Sequence, residues 1–363
     1  MAIDKYIQAS SPFKVHYPAT GLTLYTGGLR EATLNLWIYT GTQGNGNTTS
    51  SGNNVDASIA GASGDRADEP TRVLKSTAVG NLDNEFVSFD IANIVESQLK
   101  QEFAGESVAS SSSVNPNATI WVDYQMIIKI NSAEIVQPLF QGLGLDGYTY
   151  FEEGLNAQIS NGALITADTI SVVEGEEVFI PVLTGSSVTL VSFYDEDGSL
   201  ISSANYGASL TESYDQIKYP SESNAVSANI LYNGVGRNIT INTLECNKHT
   251  PYRVSFLNRF GAIESLWFNG NNTESFMAKT KEYSRVTTST DNGSEYNTSR
   301  GSRYKKRLSA HKAMTLNSGF YPEACNSTFE ELIDSTDTWI EKDGVILPIN
   351  IKTSSFNKKT ELN

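Results

Sequence analysis

At 363 residues, 39% hydrophobic and 10% aromatic, the chain has more apolar surface than a disordered polymer and is too long for one ordinary β-sandwich, so two or three folded domains are expected. No window reaches the roughly 18 apolar residues of a membrane helix, and the amino terminus MAIDKYIQASSPF has no basic region before an apolar core; the expectation is a soluble protein made in the cytoplasm, without membrane insertion. The net charge of −15 divides into −18 for residues 1–245 (28 acids, 10 bases) and +3 for residues 246–363 (13 acids, 16 bases), and the acidic part excludes a phosphate-neutralising grip on nucleic acid.

Residues 1–150 read as a β-sandwich with one helix. Segments rich in β-branched and aromatic residues predict strands at Phe13–Tyr17, Ala32–Tyr39, Thr71–Thr77, Phe86–Ile91, Ile120–Asn131 and Ile135–Phe140. Between them, Ile91, Ile94, Val95, Leu99 and Phe103 recur at three- and four-residue spacing, which predicts an amphipathic helix opened by Asp90. Two long polar insertions, 41–70 and 104–118, interrupt this domain as loops. LGLDGYTYFEEGLN at 143–156 reads as a connector with aromatic anchors.

Residues 157–245 read as a second all-β unit. Its strands are expected at Thr169–Val173, Glu177–Leu183, Val188–Tyr194, Leu200–Ala204, Ile217–Tyr219, Val226–Tyr232 and Ile239–Leu244, a spacing that suits an immunoglobulin-like sandwich, with a hairpin turn at Asp195-Glu196-Asp197-Gly198. No cysteine pair crosses it, so packed Val, Ile, Leu and Phe must hold it together.

Residues 246–363 form the third expected domain, β-rich with one helix. TPYRVSFLNRFGAIESLWF at 250–268 alternates as a hairpin, with Asn258 and Gly261 as turn residues. Residues 270–313, dense in Asn, Ser, Thr and charge, read as irregular. Pro322–Ser335 then predicts a helix with a Ser327/Glu330 capping box and a face of Phe329, Leu332 and Ile333, followed by a strand pair turned at Lys342-Asp343-Gly344. The fold class expected for the whole chain is therefore mainly β: multidomain β-sandwiches, an immunoglobulin-like middle domain and a few short helices.

Signals for chemistry are sparse. The three histidines, His16, His249 and His311, belong to no HExxH and sit beside no GxSxG, and there is neither a P-loop nor a GxGxxG after a strand. Cys246 and Cys325 lie far apart with no CxxC, which argues against zinc and a disulfide framework and for plain thiols. Of the adjacent acids, Glu152/Glu153 and Glu176/Glu177 would point to opposite faces of an extended strand, and Asp195/Glu196/Asp197 is a hairpin tip facing water, so none offers the convergent carboxylates of a glycosidase. Trp37, Tyr39, Trp121 and Tyr124 alternate with apolar neighbours and read as core rather than as a sugar platform. The basic run Arg300, Arg303, Lys305, Lys306, Arg307 and Lys312 reads as a solvated loop or a contact with an acidic neighbouring subunit. No catalytic, cofactor-binding or metal-ligating residue is assigned, and a non-enzyme without cofactor is expected.

The segments SPFKVHYP, GLREATLNLWIYTGT, DIANIVESQLKQEF, IWVDYQMIIKI and LDGYTYFEEGLN resemble the amino-terminal module of virion or tail structural proteins from tailed phages of Bacteroidota, of the Flavobacterium-infecting type. PYRVSFLNRFGAIESLWF, LNSGFYPEACNSTFEELIDSTDTWI and GVILPINIKTSSFNKKTELN resemble their carboxyl-terminal module. The 41–70 insertion, longer and richer in Gly, Asn and Ser than that pattern, and the abrupt terminus at Asn363 depart from it. The resemblance implies a bacteriophage virion component toward the tail tip or baseplate. It would assemble through its carboxyl-terminal domain into a ring or other homo-oligomer and with other tail proteins, its outward sandwiches meeting a host-surface glycan or protein. The rival expectation is a bacterial surface adhesin or carbohydrate-binding β-sandwich, weakened by the missing signal peptide.

Overall fold

The computed structural model describes residues 5–17, 29–39, 67, 69–77, 87–99, 119–130, 133–156, 158, 163–184, 188–204, 213–220, 224–232, 234–244, 248–284 and 302–353. Nearly all of the 41–70 insertion, the whole of 104–118, Cys246, Arg300 and the last turn of the helix expected to Phe103 lie outside them. The chain is mainly β, as expected, built from several separate sheets with two short α-helices among the described residues. It divides into two compact units. One comprises Met1–Glu245, Tyr252–Trp267 and Tyr321–Asn363; the other comprises Cys246–Pro251 and Phe268–Phe320.

The first unit opens with β1 (Lys5–Gln8), β2 (Lys14–Tyr17), β3 (Leu29–Tyr39), β4 (Arg72–Thr77), β5 (Val87–Asp90), α1 (Ala92–Glu96), β6 (Thr119–Ile130), β7 (Ala133–Val136) and β8 (Phe140–Leu145). Six of these strands form one sheet in the order β1-β8-β6-β3-β4, with β7 on β6, while β2 and β5 pair separately. Leu34 and Leu36 from β3, Val122 and Ile128 from β6, Val87 and Phe89 from β5, and Ile91 and Val95 beside or in α1 share one core. Burying each such side chain contributes on the order of 1.5–3 kcal/mol, and that closes the sheet. The helix is shorter than expected and is not capped by Asp90: its N-cap is Ile91, without a side-chain cap. Asp90 lies one residue earlier with its carboxylate accepting from Ala92 N at 3.2 Å, and α1 ends at Glu96 instead of running on toward Phe103. Residues 140–145, read from sequence as strand end and connector, form β8, buried beside β6 and pairing Trp121 with Leu143.

A second sandwich follows: β9 (Thr169–Val173), β10 (Glu177–Thr184), β11 (Val188–Tyr194), β12 (Leu200–Ala204), β13 (Ser213–Pro220), β14 (Ser227–Tyr232) and β15 (Val235–Leu244). A five-stranded sheet, β12-β11-β14-β15-β9, and the β10-β13 pair enclose Val172, Ile180, Val191, Phe193, Ile230 and Ile239. The expected turn at Asp195–Gly198 joins β11 to β12, with Gly198 at φ 74° and Ser199 N donating to Asp195 Oδ1.

β16 (Tyr252–Leu257) and β17 (Ile263–Phe268) are the apolar hairpin. Its turn is held by Asn258, whose Oδ1 accepts from Phe260 N and Ala262 N. The strict in/out alternation does not translate into one buried and one exposed face. Val254, Ser255, Phe256 and Leu257 are all buried, as are Glu264 and Leu266, because the hairpin is covered on both sides.

The second unit contains β18 (Thr273–Ser284) and β19 (Arg303–Thr315), an antiparallel ribbon of 12 and 13 residues. This corrects the irregular reading of 270–313 for the described residues, 285–301 lying outside them: the ribbon is largely exposed, with Phe276, Met277, Tyr283 and Leu308 scattered among charges, so it lacks the apolar period by which a strand is recognised.

Back in the first unit come α2 (Asn326–Asp334), β20 (Thr338–Lys342) and β21 (Val345–Ile349). These strands complete the sheet β17-β16-β20-β21, with the expected turn at Asp343-Gly344. The Ser327/Glu330 capping box is not formed. A 3-10 turn at Glu323–Cys325 leads straight into α2, so Ser327 and Glu330 lie inside the helix and its N-cap is Cys325, which makes no side-chain cap. Of the expected face Phe329, Leu332 and Ile333, Leu332 is buried and the other two are half-buried, while Thr328 and Glu331 are the further buried positions.

Candidate functional site

The residues weighed from sequence do not converge. Trp37, Trp121 and Tyr124 are buried, and Tyr39 donates through its hydroxyl to Asp123, so these aromatics are core. His16 is exposed in β2 opposite Ser88, and His311 is exposed in β19 opposite Met277. Glu152 and Glu153 sit in a 3-10 turn and not in a strand. Both are exposed; Glu153 accepts from Tyr150 N and pairs with Arg259. Among the described residues no group of three His, Cys, Asp or Glu side chains is arranged to hold a metal ion.

Two acids that sequence reasoning passed over do converge. Glu264 of β17 and Glu331 of α2 are both buried in the first unit. Asn258 Nδ2 donates to Glu264 Oε2 at 3.0 Å and to the Leu164 carbonyl at 2.6 Å; Arg259 N donates to Glu331 Oε2 at 3.2 Å. Loss of hydration, then repulsion from Glu331, pushes the Glu264 carboxyl up to about 8, against weaker opposing bonds from Asn258 and Thr328. Burial likewise raises Glu331, opposed by the Thr166 hydroxyl and by Arg259. Glu331 Oε1 and Thr166 Oγ1 are nevertheless buried without a partner of hydrogen-bonding geometry. At neutral pH Glu264 therefore holds its proton, and the pair carries at most one charge.

The surroundings of this pair are all protein. Arg237 on β15 forms an ion pair with Asp168 and donates to the carbonyls of Ala163, Ile165, Thr166 and Ala167, fixing the segment that brings Leu164 to Asn258. Arg259 lies over the rings of Tyr150 and Phe260, each 4.8 Å from its guanidinium carbon. Trp121, Leu143, Leu145, Leu164 and Ala262 pack together beside them. Tyr148 donates its N–H to Arg259 O, and burial, with Tyr150, Asp334 and Glu331 adding, holds its phenol above the usual range. Chemically this is a lock: it joins the first sandwich, the second sandwich and the β16–β17 hairpin. Asn258 was legible in advance as a turn residue, Trp121 as core and Tyr148 and Tyr150 as anchors in a connector, but not their convergence on two buried acids. The signal for the acids was an isolated Glu within the apolar run IESLWF.

The ribbon of the second unit is a largely exposed surface. All twelve β18 residues are exposed, with Phe276 at 66%, Tyr283 at 48% and Met277 at 45%, and Leu308 of β19 is at 53%. β19 holds most of the basic run, and Lys305 meets Glu282 at a loose 3.6 Å. Tyr283 and Tyr304 stack at 5.8 Å. No protein-family model matches the chain, and the search of curated proteins gave no match.

Proposed function

We propose that this chain is a non-enzymatic structural protein of a bacteriophage virion, a tail component toward the tip or baseplate. Its carboxyl-terminal part makes the assembly contacts, and its two sandwiches, the second of immunoglobulin-like kind, are free to meet the host surface. The observation that carries the reading is the β18–β19 ribbon: a two-stranded sheet is marginal in water by itself, and this one leaves Phe276, Met277, Tyr283 and Leu308 in solvent. A neighbour that covers the ribbon supplies the missing burial. The locked junction supports the same reading, since it spends its buried polar groups on holding three sheets together. The sequence resemblance to tail structural proteins supports the same assignment.

The test is direct. Particles purified from an infection with the virus that encodes the chain contain it as a stoichiometric component by mass spectrometry; its absence from the particles overturns the reading.

A second reading, a carbohydrate-binding adhesin, is favoured by the exposure of Phe151 (98%) and Tyr150 (42%) after β8. It requires that Phe151→Ala abolish binding on a glycan array.

A further inference from the structure

The ribbon carries an internal conflict. Residues 273–284 and 303–315 hold seven Lys and Arg against two Glu, a net +5, so the rest of the chain carries −20 of the total −15. Lys281 stands directly opposite Lys306 in the register, and like charges facing across two strands disfavour the pairing. That pair lies two residues from the stacked Tyr283 and Tyr304, and alternation along β18 puts Lys279 on the same face, at the register shift between Lys279 and Thr280. Among the described residues none of these three lysines has a carboxylate within ion-pair distance. Such a face is stabilised by an acidic partner.

The same chain presents one. In the second sandwich β9 runs parallel to β15, and β15 and β14, then β14 and β11, run antiparallel. The turn after β9 and the turn after β11 therefore lie at one end of the five-stranded sheet. The first offers Glu174 and Glu176, the second Glu196 and Asp197, all exposed, and neither turn contains a base.

We infer that the basic face of the ribbon docks on the acidic turn end of the second sandwich in a second copy of this chain. The inference rests on the assembly reading above and names its partner. Charge complementarity selects the occupant: a nucleic acid meets a molecule that is −20 outside the ribbon, whereas another copy offers that charge as attraction. Because ribbon and turn end are different patches, the contact is head-to-tail, and repetition gives a ring or a row.

Sedimentation velocity on the purified full chain tests this. At about 0.05 M salt the chain associates as concentration rises, and at about 0.5 M, where the screening length falls well below 10 Å, it returns to monomer. Lys279→Glu with Lys281→Glu weakens association by about tenfold or more, although the second of these substitutions sets an acid opposite Lys306 and so favours the ribbon's own pairing. Glu196→Lys with Asp197→Lys weakens it equally. Mixing the two variants restores association, because each supplies the charge the other now needs. A monomer under all conditions, indifference to Glu196 and Asp197, or a monomer that binds single-stranded DNA through the ribbon overturns the inference. A chain that is present in virions yet monomeric here defeats this inference and leaves the virion reading standing; a chain that self-associates as described but is absent from virions does the reverse.

Discussion

Gly147 and Gly261 meet backbone against backbone. A Cβ on Gly147 would come within 2.5 Å of Arg259 O and 2.7 Å of the Phe260 carbonyl carbon, and one on Gly261 within 2.7 Å of Asp146 N. Main chain cannot swing aside as a side chain can, and Tyr148 N→Arg259 O at 2.7 Å fixes the approach. Gly147→Ala is therefore expected to cost about 2–3 kcal/mol. Gly261→Ala adds the left-handed penalty at φ 75°, on the order of 1–2 kcal/mol more. Denaturant unfolding checks both, and a loss below about 1 kcal/mol in each would mean that the junction opens without resistance.

The proton on Glu264 makes stability fall with rising pH. In the folded chain the group keeps its proton to about pH 8, against an ordinary value of 4.5. The folded state thus binds the proton more tightly, and its contribution is full below about 4.5 and is lost as pH climbs toward 8. At 1.36 kcal/mol per unit, shared with Glu331, the change is on the order of a few kcal/mol. Glu264→Gln keeps a neutral side chain that can both donate and accept, so its unfolding free energy should fall less steeply between about pH 5 and 8 than that of the unaltered chain, the remaining slope coming from buried Glu331. Parallel slopes for the two would refute the assignment.

Arg237 acts through shape as much as charge. Its guanidinium reaches four carbonyls between Ala163 and Ala167 as well as Asp168, a fan that a planar five-donor group can serve and an ammonium cannot. Arg237→Lys should therefore recover little of the loss in Arg237→Ala, which is expected near about 3 kcal/mol, because buried carbonyls lose their donors. Full rescue by Lys in a thermal melt would show that only the Asp168 ion pair matters.

What the sequence revealed follows from how the information is encoded. Strands such as β3, β6, β11 and β20 combine β-branched or aromatic residues with a core, and they stand where the residues alone suggested. β18 and β19 were missed because an exposed ribbon has no apolar face to set a period. The α2 start was displaced because Cys325 is drawn into the contact with Ser171 and Thr169, a tertiary cause that no capping motif records. Glu264 and Glu331 became a site through the fold: one is an acid in a strand and the other in a helix, and nothing local shows that Asn258, Leu164 and Arg259 will gather round them.

Cys325 offers a readout of that helix contact. Its thiol is buried, 3.7 Å from the Ser171 hydroxyl and 3.7 Å from the Thr169 carbonyl, and burial raises it above the usual thiol value, so both access and thiolate are suppressed. In a Cys246→Ser background, labelling of Cys325 by a thiol reagent should be slower in the native chain than in denaturant by on the order of a thousandfold, limited by opening of the structure around it. Gly147→Ala, if it loosens the lock as argued, should speed that labelling as it lowers stability. Equal labelling of native and unfolded chain would mean that the start of α2 does not close on β9.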